Sequence, residues 1–370
     1  MNFAFSEEQE EFRRSVRRFL EDRSPISEVR RLMETREGFD SKVWNQMANQ
    51  LGLMAMTIPE EFGGLGYGQV ELGIVFEEMG RTLLCAPYFS TVAMGVNLLL
   101  ASGDEAVCSN YLPLVASGDV RLAVAASESD TDWSTSEIST IATKGGEAQI
   151  SGKKPYVIDG ITATHVLVLA RNEEGTSLYL VDGSDSSISK APQLSLDMTR
   201  KLATLSFQAT PALLVGSLGA GVSYYEAMLN RSIICLASEQ VGGAQRVLEM
   251  AVEYAKTRIQ FGRPIGSFQA IKHKCADMLV EIESAKSAAY YGSWVVDNEP
   301  AELPTVAFLA KVFCSQAYFS AAAENIQIHG GIGFTWEHDA HLYFKRAKSS
   351  ELMFGSPAYF RERLAETIGL

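Results

Sequence analysis

Three long stretches in the C-terminal part of the chain constrain its architecture more than anything else in the sequence. Val222 to Thr257 contains no Pro and only one Gly pair, Gly242-Gly243. Phe268 to Val296 and Thr305 to Gln327 read as two further long helices, separated by the break at Asn298-Glu-Pro300. Long helices joined by short connections predict a bundle, since each must bury its apolar face against the others. The N-terminal part reads as helical too. Ser6 with Gln9 forms a capping-box signature, Glu7 and Glu8 suit the positive end of a helix dipole, and Phe12, Val16 and Phe19 recur on one face. The Pro- and Gly-rich stretch Ile58 to Gly68 then breaks helical periodicity before an amphipathic run from Val70 to Leu84.

Between these helical parts the texture changes. Leu122 to Ala125, Gln149 to Ser151, Tyr156 to Ile158, His165 to Leu169, Leu178 to Val181 and Ala203 to Phe207 are short alternating or β-branched segments. Turns are expected at Gly145-Gly146, Asp159-Gly160 and Asp182-Gly183, and Asp182 to Ser189 reads as a Ser-rich surface turn. A compact β domain follows. The absence of alternating βα units and of any G-x-G-x-x-G after a strand excludes a Rossmann sheet and the usual nicotinamide site. The expected organisation is mainly α with a central β domain: helical residues 1–118, β residues 119–212 and a helical bundle over 213–370.

At 370 residues and 46% hydrophobic the chain is too long for one simple core and predicts two or three packed subregions. A net charge of -13 argues against general nucleic-acid binding. No uninterrupted apolar run reaches the roughly 18 residues of a membrane span, and Asn2 to Arg14 is crowded with Glu and Arg rather than built like a signal peptide. A cytoplasmic location without membrane attachment is the expectation. Cys85, Cys108, Cys235, Cys275 and Cys314 are scattered and lack C-x-x-C spacing, which predicts free thiols and neither a metal site nor a disulfide framework.

Two motifs carry chemistry. Arg258-Ile-Gln-Phe261-Gly262 continues to Phe268-Gln269, and Gln327-Ile-His-Gly330-Gly331-Ile-Gly333 follows the last long helical stretch. An Arg fork grips a pyrophosphate at two points, and a Gly pair lets the backbone approach a cofactor closely. Taken singly, Arg258 is equally a cation at a helix end, a helix stop is a lesser alternative for Gly330 and Gly331, and His329 reads as a turn or packing residue. In combination these residues resemble the acyl-CoA dehydrogenase family, as do the Pro59-Glu60 to Gly63-Gly64 turn and the order of helical domain, β domain and bundle. The resemblance implies the family's fold, with a middle β-barrel domain and a C-terminal four-helix bundle, and FAD as cofactor. It assigns Arg258, Phe261, Gln269, Gln327, Gly330 and Gly331 to the ADP end of a flavin bound mainly by a neighbouring subunit. An oligomer follows, with an acyl-CoA substrate and electron-transfer flavoprotein as electron acceptor.

The other half of the family's site is eroded. Where the family carries Thr-Glu-Pro-Gly-x-Gly-Ser-Asp beside the isoalloxazine, this chain has Ser127-Glu128-Ser129-Asp130-Thr131-Asp132-Trp133-Ser134. The later Trp-Ile-Thr becomes Tyr156-Val157-Ile158. The family's Tyr-Glu-Gly-Thr, whose Glu is the catalytic base, becomes Met353-Phe354-Gly355-Ser356. Phenylalanine has no titratable group. Some members carry the Glu on the first long bundle helix, and a gapless match from Ala220-Gly221 to Val241-Gly242 places that alternative at Ser232. Among remaining carboxylates, Glu239 lies on an apolar, small-residue helix face and is the candidate relocated base, against a structural ion pair. Glu351 reads as a salt-bridge partner of Lys345, Arg346 or Lys348, and Glu226 serves the dipole of its helix.

An intact phosphate-gripping half without a base resembles the non-base subunits of heteromeric α2β2 bacterial acyl-CoA dehydrogenases, notably those of steroid side-chain degradation. Two alternatives stay open: a self-sufficient homotetramer whose base is Glu239, and an inactive structural or regulatory homologue.

Overall fold

Helix α1 (Glu7–Arg23) begins at the capping signature: the Ser6 hydroxyl accepts the Gln9 backbone N–H at 3.2 Å, and the Gln9 side chain accepts the Ser6 N–H at 2.9 Å. The computed structural model describes residues 5–128, 133, 135, 137–143 and 148–370. The expected turn at Gly145-Gly146 lies outside them. After α1 come α2 (Ile26–Met33), α3 (Ser41–Asn49) and α4 (Gln69–Thr82), then a π-helical turn (Phe89–Val96), α5 (Asn97–Ser102) and α6 (Glu105–Ala116). Seven strands follow: β1 (Leu122–Ala125), β2 (Ile141–Ala142), β3 (Ala148–Ile158), β4 (His165–Asn172), β5 (Gly175–Asp182), β6 (Ile188–Gln193) and β7 (Leu202–Val215). The chain closes with α7 (Gly221–Thr257), the short strands β8 (Ile259–Gln260) and β9 (Arg263–Pro264), α8 (Gln269–Asn298), α9 (Leu303–His329), α10 (Ala340–Leu352) and α11 (Pro357–Thr367).

The strands form a barrel. β4 pairs with β2, β2 with β3, β3 with β7, β7 with β5, and β5 back with β4, so the hydrogen-bonded ring closes on itself. β1 adds in parallel to β4, and β6 to the edge of β7. Its core includes Ile150, Val157, Val166, Val168, Tyr179, Leu205 and Phe207. Two expectations needed correction. Gln149 to Ser151 and Tyr156 to Ile158 are one strand, β3; a register shift between Lys154 and Val157 changes which side chains face inward, so the sequence alternation breaks although the strand does not. Ile188 and Ser189, expected within a surface turn, begin β6, a polar edge strand that tolerates Pro192.

By packing, the described chain forms two compact units. One comprises Arg30–Gly68 and Cys85–Ser232 and holds the barrel with α2, α3, α5 and α6 around it. Within it the Trp44 indole donates to the Gly118 carbonyl at 2.8 Å, tying α3 to the turn after α6. The other comprises the chain up to Val29, Gln69–Leu84 and Ile233–Leu370, and is the helical bundle with α1 and α4. In this bundle α4 and α7 cross with their backbones in contact. A Cβ at Gly242 would lie 1.8 Å from the Glu77 carbonyl oxygen, and one at Gly80 would lie 2.0 Å from that of Glu239. The Gly242-Gly243 pair is therefore a packing requirement. Helix α9 with the turn after it (Leu303–Phe334) is long and apolar enough to span a bilayer by length and composition, at mean hydropathy 1.3, but 67% of that apolar window is buried in the fold.

Gly242→Ala should destabilise the protein by at least about 1–3 kcal/mol, because the added methyl meets rigid backbone. Gly331→Ala, where nothing lies within 4 Å of the added carbon, should leave the urea midpoint nearly unchanged. Equal midpoints for the two variants would refute the close crossing.

Candidate functional site

The residues of the two motifs gather on one exposed end of the bundle. Arg258 directly follows α7, its backbone N–H bound to the Tyr254 carbonyl at 2.8 Å, and among the described residues its guanidinium has no hydrogen-bond or ion-pair partner. The chain then turns back through the β8–β9 hairpin. Phe261 at its tip has φ +52° and is 91% exposed, an arrangement a bulky apolar side chain does not adopt for its own stability. Phe268 holds the hairpin base: the Arg263 guanidinium lies 4.2 Å from its ring centre. Gln269, the first residue of α8, is exposed.

Gln327 is exposed in the last turn of α9, and Gly330 ends that helix with φ +65° and ψ -143°, a conformation reserved for glycine. Gly330 is thus a helix stop, and its surroundings leave room for more: a Cβ at Gly262, Gly330 or Gly331 would meet nothing within 4 Å. A ring stack joins the two motifs. Tyr254, one turn before Arg258, lies 4.2 Å from His329 at 27°. An unpaired cation, two exposed amides and glycines unoccupied by internal packing fit an anionic group brought to the surface from outside, as the ADP end of a flavin would be.

The base positions are closed. Phe354 is 3% exposed and held at φ +66° immediately after α10. Ser232 is fully buried, its hydroxyl 2.7 Å from the Ala93 carbonyl in the π-helical turn and 2.9 Å from that of Met228. Glu239 is buried beside the α4–α7 crossing and accepts a hydrogen bond from Arg346 of α10 at 2.9 Å, with both side chains less than a tenth exposed. Glu351 pairs with Lys348 at 2.6 Å, and Glu226 is exposed in the second turn of α7. Among the described residues no group of His, Cys, Asp and Glu is arranged to hold a metal.

Of the eroded flavin loop, Ser129 to Asp132 and Ser134 lie outside the described residues. Glu128 at its start is firmly engaged. It accepts the backbone N–H groups of Ser139 and Thr140 at 2.7 and 2.9 Å and the Lys154 ammonium at 2.7 Å. Burial works against its charge, but these bonds prevail and hold its carboxyl down at about 2. Burial lowers Lys154 to about 8, so both partners are charged at neutral pH. Ile158 is 1% exposed at the end of β3, paired with Leu202 of β7, and Tyr156 takes φ +54°.

Sequence reading missed two participants. Lys154 stands next to Lys153 in β3, and no local pattern tells the buried lysine from its exposed neighbour. His338, 4.4 Å from His329, carries no local signal, because the loop that brings it there spans nine residues.

The profile of the acyl-CoA dehydrogenase N-terminal domain matches residues 6–119 and that of the C-terminal domain matches residues 219–369. Over 362 residues, 98% of both chains, the sequence is 35% identical to acyl-CoA dehydrogenase IpdE2 of Mycobacterium tuberculosis. The ChsE4-ChsE5 complex from M. tuberculosis matches in structure with TM-score 0.89 at 25% identity, covering 100% of this chain and 99% of that one. A variant of the Tcur3481-Tcur3483 steroid ACAD matches with TM-score 0.86 at 27% identity over 98% of both. The chain belongs to the acyl-CoA dehydrogenase family of FAD-dependent oxidoreductases.

Proposed function

We propose that this chain is the non-base subunit of a heteromeric acyl-CoA dehydrogenase, supplying the ADP-binding half of a flavin site to a homologous partner that carries the catalytic Glu. The observation that carries this reading is the buried phenylalanine at position 354, where the family has its base. Forming an α,β double bond in an acyl-CoA requires a carboxylate within reach of the α carbon. FAD, when bound, supplies the acceptor for the β hydrogen. Arg258 would grip the pyrophosphate, Gln269 and Gln327 would donate amide hydrogens to it, and Gly330 and Gly331 would let the backbone come close, with Phe261 reaching into the partner. The partner's own carboxylate would take the α proton, in an α2β2 assembly whose organisation per chain is 1–118, 119–212 and 213–370.

Several observations support this division of labour. Ser232 and Glu239 are already committed to internal partners, which disfavours a relocated base. Two of the similar structures are each named for a pair of proteins, and one of them as a steroid enzyme. A CoA thioester of a steroid side chain is accordingly the substrate class we infer, with electron-transfer flavoprotein as acceptor and the cytoplasm as the place of work.

Purified alone, the chain should hold little FAD; copurified with its partner, the complex should hold about one FAD per two subunits. One flavin per protomer in the isolated chain would overturn the reading. Replacing Arg258 by Ala should cost roughly 1.5–3 kcal/mol of flavin affinity in the complex, with Lys restoring it only in part. Unchanged flavin content would show Arg258 to be a helix-end cation alone.

Glu239→Gln separates the enzyme readings. It removes the negative charge that faces the buried Arg346 guanidinium, so it should lower stability by about 3–5 kcal/mol. Activity per folded complex should nevertheless be retained, while mutating the partner's Glu removes it. Dehydrogenation by this chain alone, abolished by Glu239→Gln, would make the homotetramer with a relocated base correct. Flavin binding by the complex that is indifferent to Arg258 would favour an inactive structural homologue.

A further inference from the structure

The loop bearing Gly330, Gly331 and Phe334 is flanked by two imidazoles, and we propose that His329 and His338 are positioning residues that hold this loop for the cofactor and release it on protonation. The proposal rests on the cofactor reading of this loop given above and adds its regulation by pH. His329 is the last residue of α9, and its ring stacks on Tyr254 of α7 at 4.2 Å and lies 4.4 Å from His338. The stack thereby ties both ends of the 330–337 stretch to α7, which Arg258 directly follows.

Hydrogen bonds fix the proton on each ring. His329 Nδ1 lies 2.8 Å from the Asn325 carbonyl oxygen, so Nδ1 carries the hydrogen and donates it. His338 Nδ1 accepts the Ala340 backbone N–H at 3.1 Å, so that nitrogen must be bare. Ala340 is the first residue of α10, whose Asp339 N-cap makes no side-chain cap bond. His338 therefore does the capping with a lone pair that exists only while Nδ1 is unprotonated. A proton there would set donor against donor at the positive end of a helix, beside a second imidazole.

Burial holds His329 below the ordinary imidazole value, and His338 is the ionisable group that opposes its charge. Around the stack, α7 contributes Tyr254 and the exposed Arg258, and α9 contributes Glu324, which is engaged by Lys274 of α8. The start of α10 contributes His341, stacked on Trp336, Lys345 above the same ring, and Asp339. Because the fold favours neutral His329, its contribution is complete above the ordinary imidazole pKa. That contribution is lost as pH falls below it and through the lower folded value.

Two measurements test this between about pH 8 and about pH 5.5, each scaled to the same protein at the higher pH. In the isolated chain, amide hydrogen exchange over 330–338, corrected for intrinsic pH effects, should lose about tenfold protection on acidification. H338N, which keeps an acceptor without titrating, and H329F, which keeps the stack on Tyr254, should flatten that profile. In the complex with the base-bearing subunit, retained flavin should fall over the same pH range in the wild type and less in both variants. Coincident exchange profiles for wild type and variants overturn proton release. Loop opening without flavin loss overturns the positioning role. A complex that holds no flavin even at the higher pH overturns the proposed function itself, and with it the positioning role.

Discussion

The backbone contact between α4 and α7 is the constraint from which the chemistry of the bundle follows. Gly80 and Gly242 let the helices approach until carbonyl meets Cα, and the carbonyls concerned belong to Glu239 and Glu77. Both glutamates are thereby fixed at the crossing, where water is excluded and an unpaired carboxylate is costly. Each has an arginine. Glu77 takes Arg13 of α1 at 2.8 Å and the Tyr290 hydroxyl of α8 at 2.9 Å, and Glu239 takes Arg346 of α10. Next to Glu77, Glu78 takes Arg17 at 2.7 Å, and Arg81 reaches Glu249 of α7 through two bonds. Three helices, α1, α8 and α10, are keyed to α4 and α7 by polar contacts as well as by packing.

That arrangement constrains Glu239 more firmly than its own sequence context does. A small, apolar helix face is where a carboxylate pKa is raised towards that of a general base, but the face is small because α4 lies on it. An arginine arriving from a helix roughly a hundred positions later supplies the charge that makes burial tolerable. Position 354 tells a complementary story. Its backbone keeps the left-handed conformation at φ +66°, ahead of Gly355 at +132°, so the turn survives where the titratable group does not. Lys311, fully buried in α9, reinforces the approach to that turn by donating to the Ser350 and Glu351 carbonyls at the end of α10.

Exposure divides the residues of the two motifs from the two positions where the family carries its base. Arg258, Phe261, Gln327, Gly330 and Gly331 face outwards. Phe354, Ser232 and Glu239 are shut in and satisfied. A surface that offers binding groups outward, beside chemistry that has been closed, fits a subunit whose work is completed by another. The buried Lys154–Glu128 pair shows that the barrel keeps a charged anchor at the start of the eroded loop.

Much of the architecture was legible in the sequence, because it depends on local periodicity. The capping box at Ser6, the long uninterrupted helices after Gly221 and five of the strand segments register in neighbouring residues, and the paired motifs identify the family. The short strand β2 and the edge strand β6 were not legible, since pairing rather than alternation makes them strands, and β3 read as two pieces because a bulge resets its phase. At the site, the sequence alone determined which residue types were present and which were missing: an arginine and glycines for a phosphate, and no carboxylate at either base position. Only the tertiary structure decided what each remaining group is free to do. Glu239 lies with Arg346, Ser232 with Ala93, and His329 between Tyr254 and His338, in each case because packing brings together side chains whose separation in sequence carries no local signal.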